Sequence, residues 1–540
     1  KLTFRKFEDG DHKWDKWTEA IFEGDHSHKC PTYVHRTPPC QGSCPSGEDI
    51  RGWLDIVRGI ELAPEGVSMQ EYAFRRSTEA NPFPAMMGRV CPAPCQDGCN
   101  RNEVEDFVGI NAVEQYIGDA AFKERFEFQA GAELTGKKVA IIGGGPAGMA
   151  AAYQLRRRGI ASTIFDDHEK LGGMMRYGIP GYRIPRDELD HECQRILDMG
   201  DIEFKANTRV GRDVAVEDLE KDYDAILWAL GCWTGRALPL EGWDETPNCV
   251  SAVKFLEQFN KGNLKYTANK IVCVGGGDTS IDVVSVSRRI GTLKDMDDKP
   301  EDVVNGITNH GDIDASLKKP CDNVTLTALF PRDQMTAAEH EVNDAITEGV
   351  TIMNEVMPVE IIRNDEGRAT ALKLVDSKWE NNRPVAVEGG KEYVVECDMI
   401  VAAIGQGGEM SGLEDYANER NLIDADKFYQ VPNRPGHFVA GDIVRPHLLT
   451  TAIGQASIAA ETIDHYLKKE EMRKRPKVDK HHFSLLDKMK EAGLEPKAYT
   501  VGETRGTSDA DFAIHNYEDR SKNEVITADK LFLGHFEFTA

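Results

Sequence analysis

Six cysteines crowd the first hundred residues, as Cys30-x9-Cys40-x3-Cys44-Pro and Cys91-x3-Cys95-x3-Cys99. Thiolates are the usual ligands of iron–sulfur cubanes, and a proline after a ligand cysteine is common there. Clustered cysteines in a reducing compartment point to metal in place of disulfides. Tetrahedral zinc is the competing occupant, but the x3 and x9 spacings suit it poorly. Six thiolates fill six of the eight ligand places of two cubanes. The remaining cysteines, Cys193, Cys232, Cys249, Cys273, Cys321 and Cys397, are scattered and read as small buried hydrophobes.

The second chemistry-bearing pattern is a pair of glycine turns. Gly143-x-Gly145-x-x-Gly148, which encloses Pro146 and Ala147, sits between the apolar run KKVAII and a helical pattern. Such glycines permit a tight turn, close approach of a pyrophosphate and close helix–strand packing. The helix N-terminus then offers free N–H groups and its positive dipole end to the phosphates. Asp166 ends the run STIFD and can bond a ribose hydroxyl; Asp167 is the adjacent alternative, and alternation from Ile164 favours Asp166. The second turn is Gly275-x-Gly277-x-x-Ser280, with Asp278 and Thr279 after the glycines. Two dinucleotide sites imply two dinucleotides, and FAD with a nicotinamide is the natural pair.

The elements that must position these residues follow the same rhythm. Strand, glycine turn and helix begin at Lys137 and again at Asn269, which is the α/β pattern of a parallel sheet. Before Lys137, QEYAFRRSTEANPFPAMMG and INAVEQYIGDAAFKERF read as helices. The strand pattern returns around Lys391–Gly407, and GHFVAGDI precedes the helical run TTAIGQASIAAETIDHYL. The 540 residues carry a net charge of −26, which argues against nucleic acid and anionic membranes as partners. No apolar run reaches the ~18 residues of a spanning helix, and the first segment lacks a signal peptide's apolar core. A cytoplasmic protein whose initiator methionine was removed before Lys1 is the expectation.

The stretches GGGPAGMAAAYQLRRRG, LGGMMRYGIPGYRIPR, VGGGDTSIDVV and GHFVAGD resemble the glutamate synthase small-subunit family of iron–sulfur flavoproteins, over roughly residues 25 to 470. The resemblance implies an α/β fold: two Rossmann-like, disulfide-reductase-like domains behind an α-helical iron–sulfur domain. It implies helical residues 1–130 with two 4Fe–4S clusters, an FAD domain over 131–245 and 399–468, an NAD(H) domain over 246–398, and an extension over 469–540. Gly172, Gly173, Arg176, Gly405, Gly441, Asp442, Thr451 and Ala452 would join the first glycine turn around FAD. Matching the helix VGINAVEQYIG places Glu114 as a cluster ligand, against a plain surface carboxylate. The family's C-x2-C-x4-C-x3-CP stretch is altered, since Thr32 and His35 stand at its first two cysteine positions and Cys30 is displaced. His35 is thus either an imidazole ligand or a hydrogen-bond donor beside the cluster. Family interleaving groups Cys30, Cys40 and Cys99 on one cluster, and Cys44, Cys91, Cys95 and Glu114 on the other.

The family's NADP users carry an arginine pair for the 2′-phosphate. Here Leu329 and Phe330 stand at those positions and Arg332 remains, which favours NAD(H) unless Arg332 or Arg288 takes the phosphate. The displaced cysteine, the lost pair and the extension are most similar to the DsrL flavoproteins, which accompany dissimilatory sulfite reductase. That likeness implies electron exchange between NAD(H), FAD, the clusters and the sulfite reductase system or a ferredoxin-like partner, in a homodimer. The DsrL proteins usually carry a C-terminal ferredoxin domain; no cysteine follows Cys397 in the sequence given, so its removal by truncation is the expectation. The alternatives are a glutamate synthase small subunit and a non-catalytic assembly subunit with structural clusters.

Overall fold

In the computed structural model the described residues are 33–35, 38–104, 108–293, 299–380, 383–472 and 481–483. The chain divides into two units. One joins the two ends, where Tyr33–His35 pairs antiparallel with His481–Phe483. The other, Pro39–Lys474, holds everything that follows.

Its N-terminal part is helical: α1 (Pro39–Ser43), α2 (Ile50–Val57), α3 (Met69–Ser77), α4 (Pro84–Val90), α5 (Pro94–Asp97) and α6 (Ile110–Glu124). Asp49 and Ser68 cap α2 and α3 by accepting from the Gly52 and Glu71 N–H groups. Trp53, Phe74, Ile110 and Ile117 form the core between them. The run expected as one helix from Gln70 to Gly88 is two. Helix α3 stops at Ser77, and the Asn-Pro-Phe-Pro stretch breaks the ladder because proline lacks the N–H a helix interior needs. Pro84 then opens α4 at its first turn.

Helices α4 and α6 cross at bare backbone. A Cβ on Gly118 would lie 2.2 Å from the Ala85 nitrogen, and one on Gly88 would lie 2.4 Å from the Gln115 backbone. This crossing sets the height of α6, and hence of Glu114.

The first five-stranded sheet is built from β1 (Lys138–Ile142), β2 (Ala161–Phe165), β3 (Ile202–Lys205), β4 (Ala225–Trp228) and β10 (His437–Val439). Its order is β10-β4-β1-β2-β3, all parallel. Helix α7 (Pro146–Arg157) follows β1, and α12 (Leu449–Lys468) packs on it from the chain's far end. Helix α8 (Arg186–Leu197) docks the helical part: the Glu192 carboxylate accepts from the Ala85 and Met86 N–H groups at the start of α4. Burial pushes Glu192 up to about 8.

The second sheet comprises β5 (Cys249–Ser251), β6 (Lys270–Val274), β7 (Asn323–Thr327), β8 (Thr351–Met353) and β9 (Met399–Ala402), in the order β8-β7-β6-β9-β5, again parallel. Helices α9 (Ala252–Asn260), α10 (Asp278–Ile290) and α11 (Glu339–Thr347) flank it. The boundary expected at 398 falls after Ala402, because the fully buried strand β9 pairs with β6 and β5. An antiparallel sheet of Val356–Arg363, Ala369–Glu380, Arg383–Ala386 and Glu392–Glu396 is inserted before β9. Among the described residues no helix is long and apolar enough to cross a membrane.

The crossing of α4 and α6 tolerates no side chain. Gly118→Ala is expected to destabilise the protein by about 1–3 kcal/mol through overpacking, read as a lower urea midpoint.

Candidate functional site

The first glycine turn is a cradle of backbone. Gly143 has a φ of +115°, and a Cβ there would stand 2.2 Å from the Ala229 carbonyl oxygen. At Gly148 a Cβ would stand 1.9 Å from the Gly143 carbonyl oxygen, so α7 can sit this close to β1 only without a side chain. The Gly172 N–H donates to the Gly144 carbonyl at 2.9 Å, which lays the Gly172–Gly173 turn across the first one. Gly173, with φ +50°, faces the Gly145 Cα, 2.6 Å from where its own Cβ would be. Gly145, Pro146, Ala147, Gly173, Asp442 and Ala452 line the resulting cavity.

That cavity continues past Asp166 to Thr208, Arg209 and Trp233. The Asp166 carboxylate accepts from the Gly144 N–H at 2.5 Å and the His168 N–H at 2.8 Å. His168 also contacts Asp167, reaches toward Glu257, stacks on Tyr177 and packs at a tilt against Trp233. Burial opposes its charge, but the three carboxylates prevail and push it up to about 11. The arrangement fits a dinucleotide, with uncovered backbone for a pyrophosphate and an acid at the ribose end.

Arg176, Gly405 and Thr451 do not line these cavities. Arg176 donates to the Leu171 carbonyl at 2.5 Å and pairs with Asp190, bracing the Gly172 turn from behind. Gly405 (φ +111°) accepts from the Arg236 N–H. The Thr451 hydroxyl meets His447 at 2.9 Å. Gly441 (φ +86°) donates its N–H to Gln455 of α12.

A third cavity joins the parts. Asp278 and Thr279 of the second glycine turn, Met174, Asp442 and Leu449 beside the first glycine turn, and Cys91 of the helical part line it together. Burial raises Asp442 to about 6 and Asp282 to about 7. The Asp278 carboxylate accepts from the Ala338 N–H at 3.1 Å, and the Ser280 hydroxyl donates to the Gly277 carbonyl at 2.6 Å. Gly275 lies beneath the turn, where a Cβ would stand 2.6 Å from the Ala403 oxygen. Phe330 stacks on Trp379 at 4.8 Å beside Gly276. Arg332 donates to Asn343 at 2.8 Å on the exposed rim.

The cysteines gather in two groups. Cys44, Cys91 and Cys95 act on one another and on Glu114: burial first, then these neighbours, raise Cys91 to about 12 and lift Cys95 further. Burial and then Glu48 raise Cys44 to about 11. Glu114 is 6 % exposed, with its Oε1 held by the Asn81 amide at 2.7 Å, and burial raises its carboxyl strongly. Burial raises Cys40, with a smaller contribution from the nearby Cys99, and these two make the second group. Cys30 lies outside the described residues, as does the His35 side chain. The buried Cys95, the half-buried Cys44 and Cys91 and the buried Glu114 fit a cluster core, whose positive charge reverses these shifts.

Three contributors escape a reading of the chain alone. The Thr450 hydroxyl lies 4.0 Å from the Cys91 sulfur. Asn81 holds Glu114. Glu48 is 3 % exposed beside Cys44, and the only hint is an acid closely followed by the buried Ile50 and Trp53.

The family model for pyridine nucleotide-disulphide oxidoreductases matches residues 137–456, and that for dihydropyrimidine dehydrogenase domain II, 4Fe-4S cluster, matches residues 5–126. The beta subunit of the NADP(+)-dependent formate dehydrogenase of Moorella thermoacetica is 32% identical over 465 residues, covering 80% of this chain. The chain spans 60% of that relative's length. The small chain of Escherichia coli glutamate synthase (NADPH) is 31% identical over 459 residues, covering 80% of this chain and 89% of its own. A point mutant of FprA from Mycobacterium tuberculosis superposes with a TM-score of 0.50 at 16% identity, over 62% of this chain and 85% of that one, which speaks for the fold.

The cradle makes one demand of the sequence. Gly148→Ala is expected to weaken flavin retention by about 1–3 kcal/mol, seen as a fall in flavin per purified chain.

Proposed function

The chain belongs to the pyridine nucleotide-disulphide oxidoreductase family, among the glutamate synthase small chains, and from that premise we propose that it exchanges electrons between NAD(H) and a partner protein. It is an FAD- and NAD(P)H-dependent oxidoreductase with a 4Fe–4S domain. FAD supplies two-electron exchange with a nicotinamide and one-electron exchange with clusters. Cys44, Cys91, Cys95 and Glu114 would hold an inner cluster; Cys40 and Cys99, with Cys30 and His35, would hold an outer one.

The observation that carries this reading is the shared cavity of Cys91, Asp442, Leu449, Asp278 and Thr279, where both dinucleotide sites and one thiolate group meet. Met174, Ile179, Val253 and Leu256 give it apolar walls that exclude water from the exchange. Leu449 and Ala452 present the start of α12 to the first dinucleotide, while Asp278 and Thr279 open α10 toward the second.

The nucleotide is NAD(H) in this reading, although the two relatives named above are NADP(H) proteins. Leu329 and Phe330 offer no cation to a 2′-phosphate. Arg288 is committed to the Glu348 and Cys321 carbonyls, and Arg332 to Asn343. The partner is the dissimilatory sulfite reductase system, supported by the likeness to DsrL at the displaced Cys30, the lost arginine pair and the extension. A glutamate synthase large subunit is the competing partner.

Anaerobic titration with NADH, with metal and flavin analysis and EPR, tests the reading. One FAD and about eight irons per chain, all reducible by NADH, are expected; zinc in place of iron, or a flavin that NADH leaves oxidised, overturns it. NADH-dependent reduction of purified sulfite reductase tests the partner, and co-purification with an amidotransferase subunit in its place rejects it.

Restoring cations tests the nucleotide. In Leu329→Arg/Phe330→Arg, kcat/KM for NADPH relative to NADH is expected to rise by the equivalent of about 1.5–3 kcal/mol, the worth of a hydrogen bond to a charged group.

A further inference from the structure

The thiolate group nearest the flavin cavity contains two buried carboxylates. Three thiolates and one carboxylate complete a cubane, so the second needs a reason, since burying an acid is costly. Glu114 comes from α6 and is held by Asn81. Glu48 comes from the turn between α1 and α2. Gly47, with φ +75°, reverses the chain there, and its N–H donates to the Cys44 carbonyl at 3.2 Å. The turn folds Glu48 back beneath its own cysteine.

Two contacts tie Glu48 to the thiolates. Its Oε1 accepts from the Ser46 hydroxyl at 3.1 Å, and the Ser46 oxygen lies 3.0 Å from the Cys44 sulfur. Its Oε2 is buried and has no hydrogen-bond partner among the described residues. A carboxylate oxygen left bare in the core beside a thiolate group is a lone pair placed for a cation. The Glu48 carboxyl also lies beside Asn81, Glu114 and Trp53, so it opens on the same space as Glu114.

We propose that Glu48 is a reserve carboxylate of this cluster site, which orients Cys44 through Ser46 and takes the fourth iron when Glu114 is removed. This rests on the reading that Cys44, Cys91 and Cys95 hold a 4Fe–4S cluster. The two carboxylates arrive from different elements, so losing one leaves the other's backbone in place. A cubane held by three thiolates alone has one iron open to solvent, and that iron is the one lost on oxidation.

The test uses the full chain, prepared without oxygen, as wild type, Glu114→Ala, Glu48→Gln, and Glu48→Gln/Glu114→Ala. Iron, sulfide and flavin are quantified, and EPR is recorded before and after dithionite. Glu114→Ala is expected to keep all its iron, with altered g-values for one reduced cluster. The double variant loses one iron per chain and shows the near-isotropic signal of an oxidised 3Fe–4S cluster. Glutamine keeps the size of Glu48, and flavin content reports folding. The proposal is overturned if Glu114→Ala alone gives the full 3Fe–4S signal, or if the double variant keeps its iron. Wild-type protein without iron overturns the cluster reading itself, a result distinct from either.

Discussion

Everything in the molecule turns on the first two turns of α12. On one side, Leu449 and Ala452 close the cavity of the first glycine turn. On the other, Thr450 touches Cys91, and a Cβ on Gly454 would lie 2.0 Å from the Pro45 carbonyl oxygen, next to Cys44. A single helix end is thus wedged between the dinucleotide cradle and the Cys44 and Cys91 thiols, with glycine where the backbones meet. The glycine-turn cradle and the thiol group cannot move apart without losing that contact. Electron exchange falls steeply with distance, so the wedge is the constraint on which the family's chemistry depends in this chain.

The charge pattern around the wedge follows from burial. Cys44, Cys91, Cys95, Glu48 and Glu114 are all pushed toward their neutral forms by burial, and for the thiols and Glu114 also by the charges of their neighbours. Thiolates and carboxylates in such a place are stable only around a positive core. The same burial makes the site selective, since an occupant must bring enough charge to offset several desolvated anions at once. His168 shows the opposite balance. There three carboxylates surround one imidazole, and the cation is already part of the protein.

How much of this was legible in the sequence depends on the range of the interaction. The glycine turns were legible, because Gly143, Gly145 and Gly148 act on each other within a few residues and the flanking strand and helix carry their own periodicity. The helix bearing Glu114 was legible for the same reason. Glu48 was not, since an acid in a Gly-containing turn reads as exposed until Trp53, Asn81 and Glu114 close over it. The Thr450–Cys91 contact and the fit of Gly454 against Pro45 span most of the chain, and no local pattern records them. The second-domain boundary was misplaced by a few residues because a short apolar strand such as β9 can be read as belonging to either sheet. The break between α3 and α4 shows a local signal outweighed. The prolines were visible, but the helical periodicity on either side was the stronger pattern.

The long stretch LGGMMRYGIPGYRIPR now has a physical reason for its length. Its first glycines lie on the glycine turn of the first sheet, and Arg176 braces them. Its Tyr177 carbonyl accepts from Asn260 of α9. Near its end, Arg183 donates from one guanidinium nitrogen to both carboxylate oxygens of Asp282 of α10, at 2.8 and 3.0 Å, and from the other pairs with Glu341 of α11. One continuous segment therefore touches the cradle of the first dinucleotide and grips two helices of the second sheet. Asp282 is buried, and removing the arginine would leave it uncompensated. The relative placement of the two glycine turns is thereby set by one segment. A shorter segment could serve either turn; only one of this reach can keep Asp278 and Thr279 on the same cavity as Met174 and Asp442.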